Sequence, residues 1–232
     1  MRIKRLISGR NSGGVCILGP TSSGRVILEN FRANGRQVDC FVDPQGSFRG
    51  DSWAGLPVVK LEGQKELPRL KRMGIREFVI VSGATVSRRR LFNACVEAGL
   101  KPAVLIHPTA TVLQDTKIGK GCVIGARAML GVGTVLEDNV LVGMGSLFDR
   151  DIQVAPHASI GSGANVGADV RIEECAFVGD GVVLLAGRRV GQNSIIISGS
   201  VVTQDIPPDC IAAGVPAKLV RRKKTEGRNG NG

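Results

Sequence analysis

From Ile106 to Val202 every sixth residue is apolar: Ile106, Val112, Ile118, Ile124, Leu130, Leu136, Val142, Phe148, Val154, Ile160, Val166, Ile172, Val178, Leu184, Val190, Ile196 and Val202. Neither the 3.6-residue turn of a helix nor the two-residue alternation of a strand produces this period. The residue after the repeated position is Gly in eight hexads, among them Gly125, Gly143, Gly161 and Gly179. Two positions before it the residue is usually small or β-branched, as at Cys122, Ala128, Thr134, Ala158, Ala164, Ala176 and Ser200. An inward aliphatic every six residues, with small side chains beside each bend, describes a parallel β-helix of short flat strands, three to a coil. The hexads make between five and six coils, whose core is a one-dimensional ladder with ends that need caps. We expect the preceding region to cap one end and GVPAKLV, residues 214–220, to close the other.

The region before the hexads has a different rhythm. VCIL (15–18) reads as a buried strand, GPTSSG (19–24) as a loop, 26–34 as a helix and VDCFVD (38–43) as a second strand. After a turn-rich stretch come VVK, a helical segment over 61–74 with Pro68 in its first turn, a strand over 77–82, a helix over 86–98 and AVLI (103–106). Such alternation implies a small parallel sheet covered by helices, a Rossmann-like domain. Its first loop aims backbone amides at anything anionic. The full GxGxxG signature is absent, so a phosphate cradle and a plain strand-to-helix connection both fit.

Composition excludes several alternatives. Aromatics are 3% of 232 residues with no Tyr, and Gly reaches 32, which argues against a helical bundle. No apolar run approaches the roughly 18 to 20 residues of a membrane span, and MRIKRLISGRNSGG lacks a secretory signal, so we expect a cytoplasmic protein without membrane contact. Six scattered cysteines without a CxxC pair fit reduced structural thiols and no bound metal. Eight of the eleven excess positive charges lie in residues 1–13 and 219–232. With so few aromatics to stack bases, solvated basic ends are a better reading than nucleic-acid binding. The chain divides into a basic extension (1–13), an α/β domain (14–104), a β-helix (105–220) and a basic disordered tail (221–232).

With these residues in place the chain resembles the bacterial hexapeptide-repeat sugar acyltransferases of the sialic acid O-acetyltransferase and UDP-bacillosamine N-acetyltransferase family. The resemblance rests on the amino-terminal strand-loop-helix, the FVD strand end, GLPV at 55–58, LIHPTATV at 105–112, the hexads, and VVTQDIPPDCIAAGVPAK at 201–218. It implies an α/β domain that binds a nucleotide sugar, a left-handed β-helix, and a homotrimer holding acetyl-CoA between neighbouring prisms. Where such members carry a catalytic His followed by an acidic residue, the matching stretch from Asp149 to Ala164 places Arg150 and then Asp151. Ser159 stands where a second family His lies near the thioester, and Asp180 and Ser198 stand at coenzyme-contacting positions. The family's GxGGH loop matches Gly19 to Ser23, with Ser23 replacing its His. Thr21, Ser22 and Ser23 would then face the nucleotide sugar, with Asp43, Pro44 and Gly83 at other sugar contacts.

Arg150 changes the chemistry. Acyl transfer needs a group that takes the nucleophile's proton, and arginine, with no acceptor and a pKa above about 12, is no base. It can bind a phosphate or the coenzyme. Two histidines remain. His107 sits in the IHP entry turn and reads as structural. His157, seven residues after Arg150, is the other candidate base, although its place beside Pro156 fits an exposed turn better. The sequence therefore supports an acetyl-CoA-dependent sugar N- or O-acetyltransferase of surface-glycan synthesis, acting on a nucleotide-linked amino sugar. The alternative is a non-catalytic relative that binds nucleotide sugar or coenzyme A.

Overall fold

A computed structural model describes residues 13–81 and 84–223. The first strand, β1 (Gly14–Leu18), is buried along its whole length, as a parallel strand covered on both faces must be. It leads into α1 (Ser22–Ala33), which starts four residues before the apolar pattern does. The cause is Thr21, whose hydroxyl accepts the Gly24 N–H at 3.2 Å and so caps the first turn. Gly24 lets that turn approach the loop closely, since a Cβ there would lie 2.5 Å from the Gly19 carbonyl oxygen. β2 (Cys40–Asp43), the hairpin of β3 (Ser52–Trp53) and β4 (Leu56–Lys60), α2 (Pro68–Arg72), β5 (Ile75–Ile80), α3 (Thr85–Glu97) and β6 (Lys101–Pro102) follow. Pro68 opens α2 at its first position, where its missing N–H costs nothing.

The sheet order is β3-β4-β2-β1-β5-β6, parallel except for the β3–β4 hairpin. The chain steps to one side of β1 and then to the other. The crevice at the carboxyl ends of β1 and β5 is therefore the position where open α/β sheets take ligands. AVLI does not form one strand. Lys101–Pro102 completes this sheet against Glu77–Phe78, whereas Leu105–Ile106 pairs with Val123–Ile124 and begins the next unit.

That unit is the left-handed parallel β-helix of hexapeptide repeats. Pairing advances by one coil at a time, Val123 beside Leu141, Leu141 beside Ser159, Ser159 beside Phe177. Three faces result. The first carries Leu141–Val142, Ser159–Ile160 and Phe177–Val178; the second Leu147–Phe148 and Asn165–Val166; the third Gln153–Val154 and Arg171–Ile172, with their counterparts in other coils. Each bend passes through one residue at positive φ three places after the ladder position, such as Asn139, Asp151, His157 and Gly163. Gly, Asn, Asp and His tolerate that conformation best. From Ile124 to Val202 the ladder residues are all 3% exposed or less.

The α/β domain does not cap the open end of this prism. It lies against the first face, where Leu105 and Val123 share a core with Ile17, Phe31 and Phe41. Val112, in the first coil, is left 38% exposed. At the other end, Cys210–Gly214 joins the first face and an antiparallel strand, Ala217–Arg222, folds back on it. Arg221 and Arg222 thus belong to a paired strand and not to the tail expected from residue 221. Residues 1–12, with all four cations of the amino-terminal basic end, and 224–232, with Lys224 and Arg228, lie outside the described residues. None of the described helices is long and apolar enough to cross a membrane.

Candidate active site

Two clefts flank α1. The first, about 720 Å³, opens at the carboxyl ends of the parallel strands and is lined by Gly19, Pro20, Thr21, Asp43, Pro44, Phe48, Glu62, Gln64, Ser87 and Arg90. Both α1 and α3 begin beside it, and α3 has no side-chain cap, so peptide N–H groups at two helix starts are available to an anion. Arg90 adds a positive charge. Asp43 is buried and spends its carboxylate on the wall itself, accepting the N–H of Gln45 at 3.1 Å and of Phe48 at 2.6 Å. Phe48 in turn packs edge-to-face on Trp53, whose indole donates to the Thr21 carbonyl at 3.3 Å.

The second cleft, about 420 Å³, runs between α1 and the first face of the prism. Ser23, Val26 and Asn30 form one wall; Gly143, Met144, Ser159, Gly161, Ser162, Phe177 and Asp180 form the other, and His107 closes one end. It is largely apolar, with a polar edge along one corner: Asp180 Oδ1 accepts the Ser162 N–H at 2.7 Å and Ser198 Oγ accepts the Asp180 N–H at 3.1 Å. Successive coils can stack here only without side chains, because a Cβ on Gly143 would meet Ser162 N at 2.4 Å and one on Gly161 would meet Asp180 N at 2.5 Å. The corner therefore offers bare backbone to whatever enters.

The expected residues are thus divided. Thr21, Asp43 and Pro44 line the first cleft, and Ser23, Ser159 and Asp180 the second; Ser198 lies one coil further along the same corner. Ser22 is exposed at the start of α1 and lines neither. Gly83 lies outside the described residues. Arg150 and Asp151 sit on the corner between the second and third faces, away from both clefts of their own chain. Arg150 is exposed there, bonded to Asp151 at 3.0 Å and Asp169 at 3.3 Å, and these carboxylates push its pKa further up.

His157 is not on an exposed turn. It is 7% exposed, because α3 lands on the corner that carries it. Its ring stands edge-to-face with Phe92 at 5.5 Å, and Nδ1 accepts from the Asn139 amide at 2.9 Å. Burial, reinforced by the Arg88 charge, lowers its pKa, so it is neutral packing and not a base poised at a cleft. His107 is held likewise: its Nδ1 accepts the Thr109 N–H at 3.2 Å and pairs with the Thr109 hydroxyl at 2.9 Å, which leaves its other nitrogen as the protonated one. All six cysteines are buried and unpaired, and burial pushes Cys40 and Cys95 up to about 12, too high for reactive thiolates.

Sequence reasoning missed Arg88, buried to 1% between the two units. A signal existed. Thr85, Arg88, Phe92 and Cys95 are the buried residues of α3 and recur at helical spacing, so Arg88 is a charge on the apolar stripe. It also missed Phe48, Glu62 and Gln64, whose approach to the first cleft depends on loop paths that no periodicity encodes.

Comparison with known proteins agrees with this architecture. A sequence profile described as the hexapeptide repeat of succinyl-transferase matches residues 115–149. The galactoside O-acetyltransferase of Escherichia coli K12 is 54% identical over 35 residues, 15% of this chain and 17% of that protein. The chain thus spans under a fifth of that relative. Solved structures match far more of the fold. PerB from Caulobacter crescentus, in complex with CoA and GDP-perosamine, superposes with a TM-score of 0.83 at 28% identity, covering 90% of this chain and 97% of PerB. The acetyltransferase domain of PglB from Neisseria gonorrhoeae, in complex with acetyl coenzyme A, gives 0.81 at 29% identity, covering 89% and 98%. An α/β domain lying against the side of a left-handed prism makes this a hexapeptide-repeat protein with the architecture of those acetyltransferase structures. More particularly, the chain is similar over nearly its whole described length to PerB and to the PglB acetyltransferase domain.

Proposed function

We propose that this protein is an acetyl-CoA-dependent sugar acetyltransferase that acts in the cytoplasm on a nucleotide-linked amino sugar of surface-glycan synthesis. The observation that carries the reading is the pair of clefts on either side of α1, one fitted for an anion and a sugar, the other for a long apolar arm. In this reading residues 14–104 supply the nucleotide-sugar site, through Thr21 and the wall built by Asp43 and Pro44, with Ser23 on the adjoining wall of the second cleft. The β-helix supplies the coenzyme slot along Ser159, Asp180 and Ser198. CoA and GDP-perosamine in PerB, and acetyl coenzyme A in the PglB domain, support both assignments.

The reading includes a homotrimer. The outward side chains of the second face, with its flanking corner, include Met129, Leu147, Val132 and Leu185, each 39–47% exposed, whereas the third face shows Lys117, Gln153, Arg171 and Arg189. An apolar stripe of this kind is buried when identical prisms close around a symmetry axis. Closure is also what could bring Arg150 and Asp151 of one subunit to the clefts of another. An arginine at that corner favours a second reading, a non-catalytic relative that holds nucleotide sugar or coenzyme. Coenzyme A release measured against UDP-, GDP- and CMP-linked amino sugars separates them: release with one sugar supports transfer, and tight binding of a nucleotide sugar with release from none supports the second. Light scattering that reports a monomer at micromolar concentration overturns the trimer.

A further inference from the structure

Arg88 is a buried cation that meets only neutral oxygens among its hydrogen bonds. Nη1 donates to the carbonyl of Asn139 at 2.5 Å and to its side-chain oxygen at 3.1 Å. Nη2 donates to the carbonyls of His157 at 2.6 Å and Ala158 at 3.1 Å and to Ser159 Oγ at 2.8 Å. Sealing a charge this way is costly, and desolvation lowers its pKa to about 10, still charged at neutral pH. An apolar residue would fill the stripe of α3 without that cost. What arginine adds is a fixed orientation for the last acceptor, Ser159, which lines the second cleft.

A guanidinium has donors only, so one lone pair of Ser159 Oγ is committed to Arg88 and the hydroxyl hydrogen must point elsewhere. No described protein atom accepts it. A hydroxyl already accepting from a cation is polarised into a better donor. We infer that Arg88 is a positioning residue that presents the Ser159 hydroxyl to the second cleft as a hydrogen-bond donor for the acyl carbonyl oxygen of a bound thioester. This rests on the proposed function. In the reaction the sugar amine bonds to the acyl carbon and the carbonyl electron pair moves onto oxygen, where Ser159 meets it. The pair returns as the carbon–sulfur bond breaks, and coenzyme A leaves as a thiol with the proton lost by the amine. A donor aimed at an oxygen that gains charge is the kind that accelerates acyl transfer.

The test uses the full chain with acetyl-CoA labelled with carbon-13 at the carbonyl. Difference infrared spectra should show the bound carbonyl band moved to lower frequency than in free acetyl-CoA. The shift should persist in Ser159→Thr, which keeps the hydroxyl, and vanish in Ser159→Ala and Arg88→Gln. Turnover should fall about 10²-fold in Ser159→Ala with the KM for nucleotide sugar unchanged, the scale for losing one such donor. Coenzyme that binds with an unshifted band, or a shift that survives Ser159→Ala, overturns the assignment and leaves the proposed function standing. Failure of the parent chain to bind coenzyme at all overturns both.

Discussion

The two halves of the molecule bury their cores by opposite strategies. In the β-helix one side chain per hexad suffices, because each coil rests on the last and the ladder from Ile124 to Val202 repeats one environment. In the α/β domain no position repeats. Cys16, Leu18, Phe78 and Phe92 meet residues from distant segments, and the sheet is sealed by helices on both sides. The regular half leaves a smooth surface with little relief. The irregular half creates relief by lying across it, and both clefts border α1, the element that joins loop, sheet and prism.

The largest expected effect tests the ladder directly. Val166 is 3% exposed in the middle of the prism, so Val166→Asp buries an unpaired carboxylate at a cost of several kcal/mol and should abolish soluble folding. Val112→Asp, in the same phase but 38% exposed, should express and melt near the parent. Equal behaviour of the two variants would show that burial does not follow the hexad as described.

Smaller changes separate the halves by what they transmit. Gly161→Ala forces a Cβ against the Asp180 backbone, and Gly24→Ala forces one against the Gly19 carbonyl. Each should cost about 1–3 kcal/mol, the usual range for overpacking. The prism variant should disturb only coenzyme binding at its own corner. Gly24→Ala displaces the start of α1, whose cap Thr21 lines the first cleft and whose Ser23, Val26 and Asn30 line the second, and should weaken coenzyme and nucleotide sugar together in calorimetric titrations. Loss of coenzyme binding alone from Gly24→Ala would show that α1 does not link the clefts.

How far the sequence discloses each half follows from the same contrast. The hexads announce their own register, so the number of coils and the inward residues are legible one position at a time. The start of α1 is legible only through Thr21, a polar cap that apolar periodicity ignores. The burial of His157 was beyond reach because nothing in its own hexad encodes it; the cause is α3, sixty residues earlier in the chain. Arg88 shows the converse: its spacing with Thr85 and Phe92 marks it as inward, but only the docked prism supplies the carbonyls that make an inward arginine tenable.

The interface between the halves carries a pH dependence. His157 has a lowered pKa in the folded protein, chiefly through burial, so the unfolded chain binds its proton more readily. Its contribution to stability is complete above the ordinary value of 6.5 and declines as pH falls below it. His157→Asn removes the titration, and asparagine tolerates the positive φ of 63° as it does at positions 139 and 193 of the same corner. Thermal melts of this variant should depend less on pH between neutrality and mild acid than those of the parent. An unchanged slope would place the acid sensitivity elsewhere.

The smallest structural effect and the most discriminating functional one belong to Arg150. Its side chain is 60% exposed and its bonds to Asp151 and Asp169 are solvent-screened, so Arg150→His should leave the melting temperature unaltered. The two readings of the site then diverge. If the protein transfers acetyl groups slowly for want of a base, an imidazole beside Asp151 gains a carboxylate to orient it, and turnover should rise by an order of magnitude or more within the ~10²- to 10⁴-fold that general base catalysis supplies. If Arg150 instead grips an anionic ligand across a subunit boundary, the same change should weaken binding of coenzyme or nucleotide sugar, most visibly at low ionic strength, with no gain in turnover. Steady-state rates and titrations on one variant therefore decide between an impaired transferase and a binding protein. Parent turnover that already equals the variant's would mean that the base lies in neither reading, and His107, which lines the second cleft with its Nδ1 engaged by Thr109, would be the next residue to replace.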